Sequence, residues 1–117
     1  MAHQERASSS CVFIVETTVD SEEAAQTLAQ RIIAERLAAC AQITAIESVY
    51  RWEGSMACEG EYRVSFKTSA GRLVPLRTAL LAAHPYDLPQ LLTIEAEATD
   101  AYAAWVKAEC AAPAPSV

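Results

Sequence analysis

The chain has only three glycines among its 117 residues, and it has no Cys-x-x-Cys pair. Its four cysteines are widely and irregularly spaced, at Cys11, Cys40, Cys58 and Cys110. This spacing does not indicate a zinc knot or a redox centre, and it favours reduced thiols in a reducing compartment. No Gly-x-Gly-x-x-Gly or Gly-Lys-Ser/Thr segment occurs, so nucleotide binding of the familiar kinds has no support.

Long apolar segments and clusters of positive charge are missing as well. The apolar run at residues 11–15 is far shorter than the roughly 20 residues that span a bilayer. Residues 1–10 lack the apolar centre of a signal peptide. The net charge of −6 would repel phosphate backbones and anionic lipids. We therefore expect a cytoplasmic protein with neither nucleic acid nor a membrane as partner.

The remaining composition is that of a folded protein. Hydrophobic residues make up 52% of the chain, and its length suits one hydrophobic core. Residues 1–10 are polar and rich in serine, and residues 111–117 alternate small residues with proline. We expect a single domain at residues 11–110, with flexible tails at 1–10 and 111–117.

The first half of the chain predicts a strand, a helix and two further strands. Residues 11–18 are apolar on both parities up to residue 15, which is typical of a central strand. Asp20 and Glu23 then predict the start of a helix, with Asp20 as its N-cap. The buried stripe of this helix is expected at Ala25, Leu28, Ile32 and Leu37.

Two alternating segments follow the first helix. From residue 39 the apolar positions are odd, and from residue 46 they are even, which predicts a bulge near Thr44 and Ala45. Residues 53–60 contain two glycines and predict the connection of a hairpin. The next strand is expected to place Tyr62, Val64, Phe66 and Thr68 on one face.

The second half predicts a helix at residues 72–83 with Leu73, Leu76, Leu80 and Leu81 on its inner side. His84 precedes Pro85 and should end it. A strand at residues 90–96 and a short helix at residues 100–110 complete the chain. The resulting order predicts an α+β fold, a ferredoxin-like βαββαβ sandwich with an extra C-terminal helix.

Such a sheet carries both helices on one side and leaves its other face bare. Aromatic and aliphatic side chains should make that face too apolar for a monomer, and the residues are Tyr50, Trp52, Tyr62, Val64 and Phe66. Exposed apolar patches of this size usually mark protein contacts. We expect a homo-oligomer.

Several short motifs resemble those of one known family, the CutA divalent-cation tolerance proteins. They are Glu-Arg-Leu-Ala-Ala-Cys at 35–40, Ser-Val-Tyr-Arg-Trp-Glu-Gly at 48–54, Glu61 with Lys67-Thr68, His-Pro-Tyr at 84–86 with Pro89, and Asp100 with Tyr102 and Trp105. They span nearly the whole domain in the family's order. The resemblance implies a tight homotrimer, PII-like in architecture, that responds to divalent metal ions.

The resemblance also implies a copper site. The family's proposed ligands fall here on Glu16, His84 and Gln90, and only the histidine is unchanged. Glu16 is a harder donor than the thiolate it replaces, and the amide of Gln90 is a poor ligand. We therefore expect weak binding of a divalent metal, with Cu as the named candidate and with His84 and Glu16 as its ligands.

Two other interpretations remain open. His84 can instead be a residue that ends a helix and stacks on Tyr86, without a metal. The protein can also be a signalling or structural trimer whose inter-subunit clefts receive a small anionic molecule or a partner protein. The residues expected to line such clefts are Tyr50, Trp52, Glu61, Lys67 and Tyr86. The sequence shows neither a nucleophile paired with a base nor a pair of carboxylates at catalytic spacing, so it does not predict an enzyme.

Overall fold

The structure is a computed structural model, and it describes residues 10–111. The predicted tails at 1–10 and 111–117 lie almost entirely outside the described residues. Four strands form one antiparallel sheet: β1 (Cys11–Val19), β2 (Cys40–Trp52), β3 (Ser55–Thr68) and β4 (Leu91–Glu97). Their order is β2-β3-β1-β4, which places β1 inside the sheet as predicted.

Two helices cover one face of this sheet. They are α1 (Glu22–Ala34) and α2 (Leu73–Ala83), preceded by a 3-10 turn at Ala70–Arg72. Their buried side chains form one core with Val15, Val64 and Phe66, which are all fully buried. Three residues of the predicted α1 stripe are confirmed, because Ala25, Leu28 and Ile32 are buried in this core. Leu37 is also buried there, but it lies beyond the end of the helix at Ala34.

The N-cap of α1 was predicted one residue too early. Ser21, not Asp20, caps the helix, and its hydroxyl oxygen accepts the backbone N–H of Ala24 at 3.0 Å. Serine is as good a cap as aspartate. Asp20 is thereby left exposed, directly after β1.

The predicted bulge in β2 is wrong. β2 pairs with β3 without a register change from Cys40 opposite Lys67 to Trp52 opposite Ser55. The apolar parity changes because the two halves of the strand have different surroundings. Ala41 and Ile43 pack on the helices, whereas Tyr50 and Trp52 belong to the opposite face, near the far end of the hairpin.

The hairpin connection is also shorter than predicted. Only Glu53 and Gly54 lie between the two strands, and both have positive φ, +50° and +83°. A two-residue turn with two positive φ angles is the type I′ turn, whose twist matches that of the flanking strands. Residues 55–60 therefore continue β3.

The later elements follow the predicted order. Leu76 and Leu80 are fully buried and Leu73 packs against the core, but Leu81 is 53% exposed. Leu81 is adjacent to Leu80 in the helix, and adjacent helix residues do not share a face, so Leu81 points away from the core. Helix α3 (Asp100–Glu109) packs through Ala103 and Val106 against Val12 at one end of the sheet.

The sheet face opposite α1 and α2, here called the open face, carries Tyr50 and Trp52 as predicted, but it does not carry the other three predicted residues. Val64 and Phe66 are buried beneath the helices, and Tyr62 packs beside them. The open face also carries a cross-strand pair, Ile14 opposite Ile94, with Leu92 exposed nearby. Within the described part of the chain, no helix is long and apolar enough to cross a membrane.

Candidate functional site

A cavity of about 620 Å³ lies between the β2–β3 hairpin and the segment that follows α2. Four carboxylates and three aromatic rings line it, and the residues are Asp20, Glu59, Glu61, Asp87, Tyr50, Trp52 and Tyr86. The other lining residues are uncharged, so no lysine, arginine or histidine faces the cavity. We call this cavity the acidic cleft.

The hairpin provides one wall of the acidic cleft. Alternate residues of a strand share a face, so Tyr50 and Trp52 of β2 lie side by side. Glu59 and Glu61 of β3 are on the same face, and the Tyr50 hydroxyl donates a 2.8 Å hydrogen bond to Glu59. This bond, together with burial, raises the pKa of the Tyr50 phenol.

Glu61 lines the cleft and is only 8% exposed. Its two carboxylate oxygens accept hydrogen bonds from Ser48, at 2.7 Å, and from the Tyr86 hydroxyl, at 3.0 Å. Across residues 10–111 no cationic side chain forms an ion pair with Glu61, since the ion pair found there joins Arg31 to Glu35. The cleft therefore holds a nearly buried carboxylate that has hydrogen-bond donors but no counter-ion.

Burial and the bond to Glu61 raise the pKa of the Tyr86 phenol, so its hydroxyl keeps its proton and remains a donor. Tyr86 comes from the His-Pro-Tyr segment, in which His84 ends α2 with an extended backbone. The rings of His84 and Tyr86 meet edge to face, with centroids 4.9 Å apart. The predicted helix end and ring contact are both confirmed.

Hydrogen bonds occupy both ring nitrogens of His84. Nδ1 accepts the backbone N–H of Tyr86 at 3.1 Å. Nε2 lies 3.0 Å from the Thr18 carbonyl and 2.9 Å from the Thr17 hydroxyl, which in turn donates to the Gln90 carbonyl. A carbonyl only accepts, so Nε2 carries the proton. Burial lowers the pKa of His84, although the Thr18 bond and the charge of Glu61 oppose the shift.

This arrangement does not fit His84 and Glu16 as joint metal ligands. Neither His84 nitrogen has a free lone pair, and a metal would first have to break one of these bonds. Glu16 accepts a hydrogen bond from Ser65 at 2.8 Å. Neighbouring residues of a strand point to opposite faces of the sheet, so Glu16 lies on the face opposite to Thr17, the residue that contacts His84. Among residues 10–111, no group of three or more His, Cys, Asp or Glu side chains could hold a metal ion.

The structure brings together most of the cleft residues expected from the sequence. Tyr50, Trp52, Glu61 and Tyr86 surround one cavity, but Lys67 does not line it. The Lys67 ammonium donates to Gln42 on the neighbouring strand. Sequence reasoning missed Asp20, which it assigned to a helix cap, and Asp87, although Asp87 lies inside the His-Pro-Tyr-Asp motif.

The fold and this cavity define a small ferredoxin-like α+β protein with an acidic cleft beside its β-hairpin. Residues 13–109 match the family described as CutA1 divalent ion tolerance protein. The chain therefore belongs to the CutA family, as its motifs predicted, and the predicted fold class is confirmed.

Three similar proteins illustrate the extent of the likeness. The chloroplastic CutA protein of Arabidopsis thaliana is 38% identical over 96 residues, which are 80% of this chain and 53% of that protein. The CutA structure from Synechococcus elongatus PCC7942 is 39% identical with a TM-score of 0.84, over 87% of this chain and 92% of that one. The PII-like protein CutA from Nostoc sp. PCC 7120 is 26% identical with a TM-score of 0.81, over 86% and 99%.

Proposed function

We propose that this chain is a cytoplasmic divalent-ion tolerance protein that binds a divalent cation weakly and acts as a binding protein, not as an enzyme. The observation that carries the proposal is the carboxylate of Glu61, which is nearly buried and lacks a counter-ion within the described residues. An ionised carboxylate withdrawn from water is stabilised by a nearby cation. The description of the family as divalent ion tolerance proteins supports the same direction.

Glu61 and Glu59 are the proposed ligands. Carboxylate oxygens suit hard cations, and a small one such as Mg²⁺ is commonly held by one or two carboxylates while it keeps several waters. Two carboxylates without a third ligand agree with weak binding. The competing assignment is a copper ion at His84 and Glu16. Copper binding there would break one of the hydrogen bonds that His84 makes through its two ring nitrogens.

The charge of the cleft argues against the anionic ligand considered from the sequence. Four carboxylates line the cavity, and Lys67 is hydrogen bonded elsewhere. An anion placed there would meet charges of its own sign with no basic partner. A cation would instead be attracted by the four carboxylates, so a cation is the favoured occupant.

The test is calorimetric titration of the reduced protein with Mn(II) and Cu(II), beside Glu61→Gln and His84→Asn. We expect saturable Mn(II) binding that Glu61→Gln weakens at least 10-fold and that His84→Asn leaves within about 2-fold. Glu109→Gln, the same change on exposed α3, is the matched control. Binding lost only in His84→Asn would overturn the Glu61 assignment in favour of the histidine site.

We also propose self-association through the open face. Ile94 and Leu92 are 44% and 48% exposed there, beside the Ile14–Ile94 pair. Apolar side chains grouped in this way favour burial against another protein. The number of three subunits comes from the family resemblance.

Light scattering on Ile94→Asp tests the interface. We expect a trimeric mass for the unchanged protein and a lower mass for Ile94→Asp. Val74→Asp places the same charge on an exposed position of α2 and should keep the trimer. A monomeric mass for the unchanged protein at micromolar concentration would overturn the proposal.

A further inference from the structure

Three aromatic side chains line the acidic cleft, and the proposed binding of a divalent metal gives them no role. Trp52, at the end of β2, is 49% exposed, and Tyr50 lies two residues before it on the same face. Tyr86 faces them from the segment after α2. The faces of Trp and Tyr rings attract organic cations, and the attraction strengthens where the cation is partly removed from water.

The size of the cleft also exceeds the needs of a metal ion. About 620 Å³ lies within the range of roughly 300–1,000 Å³ that is typical of small-molecule sites. A divalent ion held by Glu61 and Glu59 would fill its other coordination positions with water and would leave the aromatic side of the cleft unused. An ammonium group needs only hydrogen-bond acceptors and a favourable electrostatic environment.

Glu61 provides the independent evidence that the occupant is positively charged. This carboxylate is 8% exposed and lines the cavity, and its partners are the neutral hydroxyls of Ser48 and Tyr86. Within residues 10–111 no ion pair compensates its charge. Each carboxylate has about four acceptor positions, so two hydrogen bonds leave room for an ammonium donor.

We infer that the acidic cleft binds an organic ammonium ligand, with the ammonium group at Glu61 and Glu59 and the alkyl part against Trp52 and Tyr50. The inference uses the cleft assigned under the proposed function but does not depend on metal binding. The carboxylates select the charge of the ligand. The aromatic wall selects an organic cation over a bare ion.

The test uses 1,4-diaminobutane as the probe and 1,4-butanediol as its neutral counterpart of similar shape. Both are titrated into the full chain at constant ionic strength, with Trp fluorescence and calorimetry as readouts. The variants are Glu61→Gln, Trp52→Leu and the control Glu109→Gln, each first checked for fold by circular dichroism. The same variants are titrated with Mn(II).

We expect saturable binding of the diamine and none of the diol. Glu61→Gln should weaken diamine binding at least 10-fold. Trp52→Leu should weaken it by about 2- to 30-fold, the size of a cation–π contact, and should leave Mn(II) binding unchanged. Glu109→Gln should change neither.

Three results would overturn the inference: no diamine binding, equal binding of diamine and diol, or diamine binding that Trp52→Leu leaves unchanged. The last would reduce the site to an acidic surface without an aromatic contribution. Mn(II) binding without diamine binding would overturn this inference alone. Diamine binding without Mn(II) binding would overturn only the metal proposal, so the two failures are distinguishable.

Discussion

The hydroxyl of Tyr86 donates a 3.0 Å hydrogen bond to the carboxylate of Glu61, and this contact joins the segment after α2 to strand β3. The two residues are 25 positions apart in the chain, and both line the acidic cleft. The same Tyr86 receives support from His84, which accepts its backbone N–H. His84 thus helps to position the cleft without facing it.

Replacing Tyr86 by Phe should destabilise the protein, because Glu61 would lose one of its two donors while remaining nearly buried. A hydrogen bond to a charged group contributes about 1.5–3 kcal/mol to the free energy of unfolding, and we expect a loss in this range. Urea denaturation at pH 7.5 measures it. Tyr50→Phe removes a similar hydroxyl from an exposed pair and should have a much smaller effect. Equal effects of the two changes would contradict this role of Tyr86.

Lowering the pH should destabilise the protein through His84. Burial lowers the pKa of His84 in the folded state, so the folded protein favours the neutral ring and the unfolded chain binds the proton more readily. The stabilisation is therefore present above about pH 6.5, the ordinary histidine pKa, and is lost as the pH falls below that value toward the lowered pKa.

Thermal melts between pH 7.5 and 5 should show this loss, and His84→Asn should flatten the profile. The Asn oxygen can still accept the Tyr86 N–H, so the variant should remain folded at pH 7.5. His3 is the other histidine of the chain, and His3→Asn should leave the profile unchanged. A slope that persists in His84→Asn would assign the effect to other groups.

Gly54→Ala should cost about 1–2 kcal/mol of unfolding free energy, because the left-handed backbone conformation is unfavourable for a residue with a Cβ. Gly54 has φ of +83°, and an added Cβ would meet nothing within 4 Å, so the cost is conformational. Gly71 is equally open but its φ is not in the positive range. Gly71→Ala should be neutral or slightly stabilising in the same denaturation assay. Equal destabilisation by both would exclude the turn as the cause.

Leu80→Ala should cost about 2–5 kcal/mol, because the side chain is fully buried and its removal leaves a cavity. Leu81→Ala, at the neighbouring exposed position, should change the free energy of unfolding by less than about 0.5 kcal/mol. Denaturant titration of the two variants side by side compares them. A larger loss at Leu81 would show that this face of α2 is buried in solution.

The sequence by itself determined the order of the elements and the family. Apolar periodicity is a local property, so the stripe of α1 and the alternation of β3 could be read directly. His84 before Pro85 ends α2 for a steric reason that acts between neighbouring residues. The motifs that identify the CutA family are contiguous, and they needed no structure to be recognised.

Only the tertiary structure decided which apolar residues are buried and which polar residues meet. Periodicity did not separate Leu80 from Leu81, because the helix axis is oriented by its contacts with the sheet. The parity of the apolar residues changes along β2 because its first half packs on the helices through one face, whereas its second half places Tyr50 and Trp52 on the other face. The acidic cleft joins Asp20, Glu61 and Tyr86 from separate segments, and Lys67 is directed to Gln42 by the strand register. These arrangements depend on contacts between distant segments, which a local sequence pattern does not contain.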